Sequence, residues 1–255
     1  MESEILKLEN LSFSYHTLNG ETKALQDLSF SVKRGEFLAI VGPSGCGKST
    51  ILSLIAGLLE PERGGITFYG TEGKKPGIGY MLQRDHLFEW RTVWQNVTLG
   101  LEIQHKMTPE SLERVKKMLD DYGLSGFASK KPSELSGGMK QRAALIRTMA
   151  LEPEILLLDE PFSALDYQTR LTVSADIARI IRNAGKTAVL ITHDLSEAIS
   201  LSDRVIVLSE RPATVKGEFP IRLTLPDDSL LAARKAPEYS KYFNQIWEEL
   251  SDESE

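Results

Sequence analysis

The chain has 255 residues, of which 41% are hydrophobic and 26% charged, with a formal net charge of −6. That is the balance of a folded globular chain with room for one large core and a smaller subdomain. Acidic bulk charge without a Lys/Arg-rich block gives nucleic acid no support as a partner, and the single cysteine, Cys46, excludes an internal disulfide and fits a reducing cytosol. The first ten residues lack the basic-then-apolar pattern of a secretory leader. The longest apolar runs, such as 155–158 and 188–191, are far too short to cross a bilayer. Any work at a membrane therefore requires docking onto a partner that spans it.

Along the chain, β-branched and aromatic runs predict strands at 5–15, 28–32 and 37–41. The strand at 37–41 runs straight into Gly42-Pro43-Ser44-Gly45-Cys46-Gly47-Lys48-Ser49-Thr50, which fits G-x-x-x-x-G-K-[ST]. A helical pattern opens at Gly47 and runs to about residue 58, so the motif sits in the strand–loop–helix context that gives it meaning. Glycines let backbone N–H groups turn inward around an anion, and the new helix adds its positive end. Lys48 supplies a point charge for the β- and γ-phosphates of ATP, and the Ser49 hydroxyl can ligate Mg²⁺. The backbone N–H of Cys46 matters more in this loop than its thiol.

Strands follow at 65–69 and 78–82. Residues 84–150 then lack strand patterns and carry amphipathic helical ones, at 109–122 and 138–151, and read as a helical insert between two halves of an α/β core. The apolar run 155–158 ends in Asp159-Glu160. A continuous apolar run suits a strand buried on both faces of a parallel sheet, whose carboxyl end is where ligands gather. Side chains alternate along a strand, so the two carboxylates have different work available: Asp159 can hold Mg²⁺, and Glu160 can polarise the attacking water as general base. A helix is predicted at 166–183 with Gly185 as its stop, then strands at 187–192, 204–209 and 214–219, a last helix at 238–250, and an acidic, solvated end at 251–255.

Leu135-Ser136-Gly137-Gly138-Met139-Lys140-Gln141-Arg142 precedes the acidic strand. Locally it is a second anion-binding helix end, with Ser136 as N-cap and two glycines for close backbone approach. Here the sequence resembles the ABC-type ATPases, whose signature is LSGGQ followed by basic residues; Met139 replaces the usual Gln and leaves the Ser-Gly-Gly core intact. The resemblance runs from Leu6 to about Phe219. It implies a P-loop NTPase core with a mostly parallel sheet, an antiparallel β region near the N-terminus and a helical subdomain. The core would comprise residues 1–83 and 151–220, the helical subdomain 84–150, and a C-terminal helical tail 221–255.

The resemblance also implies roles. Tyr15 would stack on adenine, against the alternative of a sheet-packing residue. Gln83 would reach Mg²⁺ and the attacking water and mark the hinge into the insert. Ser163-Ala164-Leu165-Asp166 would cross a dimer interface, with Asp166 also able to cap the next helix. His193 would be the switch histidine at the γ-phosphate. Leu135, Ser136, Gly137 and Gly138 would act in trans, capping ATP held by a second copy of the chain.

Two further stretches narrow the resemblance. Phe88-Glu89-Trp90-Arg91-Thr92-Val93-Trp94-Gln95-Asn96-Val97 is similar to the LPWRTVxxNV stretch of bacterial importers for nitrate, sulfonates and taurine. Ser209-Glu210-Arg211-Pro212-Ala213 is similar to the S-x-RP segment of that branch. The implied setting is the cytoplasmic face of the cell membrane, with integral-membrane permease subunits as direct partners and a solute-binding protein as an indirect one. The insert would offer the permease a groove near residues 83–91, with Leu87, Phe88 and Trp90 as its apolar surface or, alternatively, as internal packing. The rival readings are a soluble ABC-type ATPase uncoupled from transport, a small-molecule kinase, and a nucleotide-gated scaffold.

Overall fold

The computed structural model describes residues 3–18, 20–70, 75–225 and 230–251. Strands β1 (Glu4–Thr17), β2 (Gly20–Lys33) and β4 (Arg63–Phe68) form an antiparallel sheet in the order β2-β1-β4. A second sheet takes β3 (Phe37–Val41), β5 (Ile78–Met81), β6 (Ile155–Asp159), β7 (Thr187–Ile191), β8 (Arg204–Leu208) and β9 (Val215–Pro220) in the order β5-β6-β7-β3-β8-β9. Its pairs are parallel except β8 with β9, which closes one edge. Strands β3, β6 and β7 are buried at every residue, as their unbroken apolar runs predict.

Helix α1 (Lys48–Ala56) follows the phosphate loop and stops at Gly57, whose φ of 75° is the left-handed cap that glycine adopts without strain. It is therefore shorter than the pattern to residue 58 suggests. The insert contains α2 (Val93–Val97), α3 (Leu99–Ile103), α4 (Pro109–Asp121) and α5 (Gly137–Met149), with no strand among the described residues between β5 and β6. Its own apolar cluster joins Leu87, Val93, Val97, Leu101, Val115 and Leu119 to the apolar face of α5. Helices α6 (Tyr167–Asn183) and α7 (Leu195–Leu201) cover the large sheet, and α8 (Leu230–Lys235) and α9 (Tyr239–Ser251) end the described chain. The acidic residues 252–255 lie outside the described residues.

The structure divides the two alternatives for the apolar residues near 83–91. Leu87 is only 7% exposed and belongs to the insert's core, so it offers no outward surface. Trp90 does: it is 73% exposed, with Phe88 against its ring at a 4.7 Å centroid distance.

Candidate active site

The strand order brings four carboxyl ends side by side. Gln83 follows β5, Asp159 and Glu160 close β6, His193 follows β7, and the phosphate loop follows β3. Between them lies a cleft of about 600 Å³ lined by Ser44, Gly45, Gly47, Lys48, Ser49, Thr50, Glu160 and His193. The first N–H groups of α1 receive no side-chain cap from Gly47, and the first turn holds no acidic residue. These open donors and the helix dipole make a cradle for an anion. Gly47 needs to be glycine twice over, because its φ is 122° and a Cβ would meet the Leu25 side chain at 3.0 Å.

Lys48 is buried, and its Nζ donates to the Gly42 and Pro43 carbonyls at 2.8 Å each. The ammonium is thus held across the loop it would neutralise a phosphate in. Cys46 is also buried, and burial pushes its thiol pKa up. A thiol raised in this way has less of the reactive thiolate, which accords with a backbone role.

The Ser49 hydroxyl donates to Asp159 Oδ1 at 3.0 Å, and the Tyr80 hydroxyl approaches Asp159 Oδ2 at 3.4 Å. Burial holds the Asp159 carboxyl above the usual carboxylate range, despite the opposing hydrogen bonds from Ser49 and Tyr80. Burial and the nearby Asp159 charge push Tyr80 up to about 12. A desolvated carboxylate beside a hydroxyl, Asp159 with Ser49, is an oxygen donor pair of the kind that suits a hard cation shared with phosphate oxygens. The residues therefore fit Mg²⁺.

Glu160 has a φ of 43°, rare for a residue with a Cβ, and this turns its side chain away from the strand direction of Asp159. Its Oε2 accepts from Gln83 Nε2 at 3.2 Å and lies 3.1 Å from His193 Nδ1. The Tyr15 ring lies edge-on to Phe13, half exposed, and its hydroxyl is 2.9 Å from Thr50 Oγ1 at the start of α1. The hydroxyl end of the tyrosine is thereby placed beside the loop.

Ser136 and Gly137 are exposed at the start of α5, with Ser136 Oγ accepting from the Met139 N–H at 3.3 Å. Ser136 and Gly138 line a different cleft, about 340 Å³, which shares no lining residue with the phosphate cleft. Asp166 caps α6 through the Thr169 N–H at 3.1 Å, and the Ser163 hydroxyl donates to the Glu160 carbonyl at 3.0 Å. Three arginines outside the predicted site residues tie these loops down. Arg147 donates to the Asp85 and His86 carbonyls beyond Gln83, Arg211 grips the Gly45 carbonyl, and Arg170 grips the Leu165 carbonyl. Only the Ser-x-Arg-Pro pattern around Arg211 gave any signal.

A phosphate-loop cradle, an oxygen donor pair that fits a hard cation and a second carboxylate beside them point to a nucleotide-hydrolysing cassette. Comparison with known proteins agrees. The family described as ABC transporter matches residues 25–163. The chain is 44% identical over 248 residues to the uncharacterized ABC transporter ATP-binding protein YtlC of Bacillus subtilis, covering 96% of this chain and 95% of that protein. Identity is 39% over 248 residues to the taurine import ATP-binding protein TauB of Pelagibacter ubique, covering 94% of each. It is 39% over 247 residues to the nitrate import ATP-binding protein NrtD of Synechocystis sp., covering 94% and 93%. Among solved structures, the dimeric post-hydrolysis state of the ATP-binding cassette MJ0796, bound to ADP and Pi, matches with a TM-score of 0.72 and 31% identity over 86% of this chain and 99% of that one. The chain belongs to the ABC transporter family. It is an ATP-binding, ATP-hydrolysing cassette, and an ATPase uncoupled from transport is not favoured.

Proposed function

We propose that two copies of this chain close head to tail on two ATP molecules and energise an importer for nitrate, sulfonate, taurine or a similar small solute. The observation that carries this reading is the separation of two anion-binding helix ends on one chain. The α1 end lines the phosphate cleft, while Ser136 and Gly138 line a separate one. A single triphosphate cannot use both ends of one molecule, but two molecules facing each other can. The dimeric relative bound to ADP and Pi supports the dimer in this reading.

In each composite site Tyr15 stacks on adenine, and the loop from Gly42 to Thr50 holds the phosphates, with Lys48 neutralising their charge. Ser49, Asp159 and Gln83 would hold Mg²⁺, whose chemistry there is to neutralise and orient the phosphate oxygens. Glu160 takes the proton of the attacking water, His193 orients Glu160 and the γ-phosphate, and Ser136 to Gly138 of the second copy cap that phosphate. Ser163 and Asp166 lie at the interface. Residues 1–83 and 151–220 act as the core, 84–150 as the subdomain that moves on closure, and 221–255 as a tail. Exposed Trp90 and its neighbour Phe88 form the apolar surface for integral-membrane permease subunits, which hold the chain at the cytoplasmic face of the membrane. A solute-binding protein acts further out. The test is co-purification from membranes, followed by phosphate release in the presence and absence of the co-purified permease. Mg²⁺-dependent ATP hydrolysis stimulated by that permease supports the proposal, and a chain that never associates with a membrane subunit opposes it.

A further inference from the structure

We infer that Arg170 is a positioning residue that links the two ATP sites of the dimer, an inference that rests on the composite-site reading above. The link begins at the signature. A Cβ on Gly137 would meet Leu165 Cδ2 at 3.0 Å, and one on Gly138 would meet Val173 Cγ2 at 2.8 Å. The signature turn therefore packs directly on Leu165 and on α6, with no slack for one to move without the other. Leu165 is buried, and its carbonyl accepts from Arg170 Nη2 at 2.8 Å. The other arm of the same guanidinium, Nη1, pairs with Asp194 Oδ2 at 3.8 Å.

Asp194 is the neighbour of His193 and does two jobs at once. Its Oδ1 caps α7 by accepting from the Ser196 N–H at 2.8 Å and the Glu197 N–H at 3.3 Å. Its own N–H donates to Thr192 Oγ1 at 3.0 Å, and the Thr192 hydroxyl donates to buried Glu197 at 2.7 Å. The segment carrying His193 is thus braced on both sides, so a pull on the Asp194 carboxylate moves the histidine with it. Arg170 Nε is buried without an acceptor among the described residues. A fold that leaves an N–H of a charged group unpaired accepts a cost, and here the guanidinium spans two loops in return.

The consequence follows from which site each end serves. The signature of one copy caps ATP on its partner, while His193 of the same copy acts on its own ATP. Arg170 lies between them, so seating of the signature at one site sets the position of His193 at the other. Coupling of two sites appears as a Hill coefficient between 1 and a ceiling of 2.

The experiment measures ATP hydrolysis by the intact chain against ATP concentration, for the native protein, Arg170→Met, Arg170→Lys, Asp194→Asn and the double variant. Asp194→Asn keeps a capping oxygen for α7 while removing the charge, which guards against a variant that simply fails to fold. The expected result is a native Hill coefficient well above 1 that falls to about 1 in Arg170→Met and in Asp194→Asn. Turnover should drop about 10-fold, and affinity of the separate subunit for ADP should stay within about 2-fold, as expected when only the catalytic step is disturbed. Arg170→Lys, which can reach one anchor but not both, should fall between. The double variant should be no worse than either single one, because both break the same link. A native Hill coefficient of 1, or cooperativity and turnover unchanged in Arg170→Met, overturns the inference. Failure of the composite-site reading would look different: the hydrolysis-blocked Glu160→Gln chain would not dimerise with ATP at all.

Discussion

His193 Nδ1 lies 3.1 Å from Glu160 Oε2, and the same oxygen accepts from Gln83 Nε2 at 3.2 Å. Three loops from three adjacent strands therefore converge on one carboxylate oxygen at the mouth of the phosphate cleft. A carboxylate held through one oxygen can accept a proton on the other.

Glu160→Gln removes that base while keeping the acceptor for Gln83 or His193. ATP affinity should remain within about 2-fold, and turnover should fall by about 10²–10⁴, the usual worth of a positioned general base. Nucleotide titration alongside phosphate release checks both halves. Native turnover in this variant would remove Glu160 from the chemistry.

Lys48→Ala deletes a buried ammonium held by two loop carbonyls. Hydrogen bonds to charged groups contribute about 1.5–3 kcal/mol, so ATP and ADP should both bind about 10- to 100-fold more weakly. Calorimetric titration of either nucleotide reads this directly, and unchanged affinity would contradict the loop assignment.

On the proposed reading Tyr15 would contribute a ring face to adenine, beside a hydroxyl that lies 2.9 Å from Thr50 Oγ1. Tyr15→Phe keeps the face and should change the KM for ATP by no more than about 10-fold, since a neutral hydrogen bond contributes about 0.5–1.5 kcal/mol. Tyr15→Ala loses the face, worth about 1–3 kcal/mol for a stacked base. It should weaken ATP binding while leaving inorganic pyrophosphate affinity unchanged. Equal losses for both ligands would show that Tyr15 shapes the loop instead of holding the base.

Asp159 carries a pH signature. Burial raises its pKa in the folded state above that of the unfolded chain, so the native state binds the proton more tightly. Its contribution to stability is therefore most favourable at acid pH, is lost as pH rises through the interval between the two values, and is a full cost at neutral pH. Asp159→Asn removes the cost. The nucleotide-free variant should melt higher than native at pH 7, by about 2–4 °C for each kcal/mol relieved, with the difference shrinking as pH falls through the carboxylate range. It should also lose Mg²⁺-dependent hydrolysis. Thermal melts across pH check the sign, and a lower melting point at pH 7 would reverse the argument.

Much of this was legible in the chain itself, for physical reasons. Strands β3, β6 and β7 are buried on both faces and so read as unbroken apolar runs, and the phosphate loop is constrained residue by residue by backbone approach to an anion. Elements governed by tertiary contacts were not legible. The start of β2 is polar and exposed, and its hairpin with β1 carries register shifts around Leu8, Leu11 and Phe13, which blur the alternation of a strand. Helices α2, α3 and α7 span only five, five and seven residues, too few for a 3.6-residue period to emerge. Leu87 looked like its surface neighbour Trp90 because an apolar residue carries no label for the side it packs on. Arg147 was equally silent, since the carbonyls it holds lie 61 and 62 residues earlier in the chain.

The most direct measurement is sedimentation of Glu160→Gln with and without Mg-ATP, repeated with Ser136→Arg added. A glycine-lined cap supplied by a second molecule predicts that Glu160→Gln shifts from monomer to dimer with ATP. It also predicts that an arginine in place of Ser136 prevents the shift while each monomer still binds nucleotide. A dimer that forms equally well with Ser136→Arg, or a chain that stays monomeric while saturated with ATP, would contradict it.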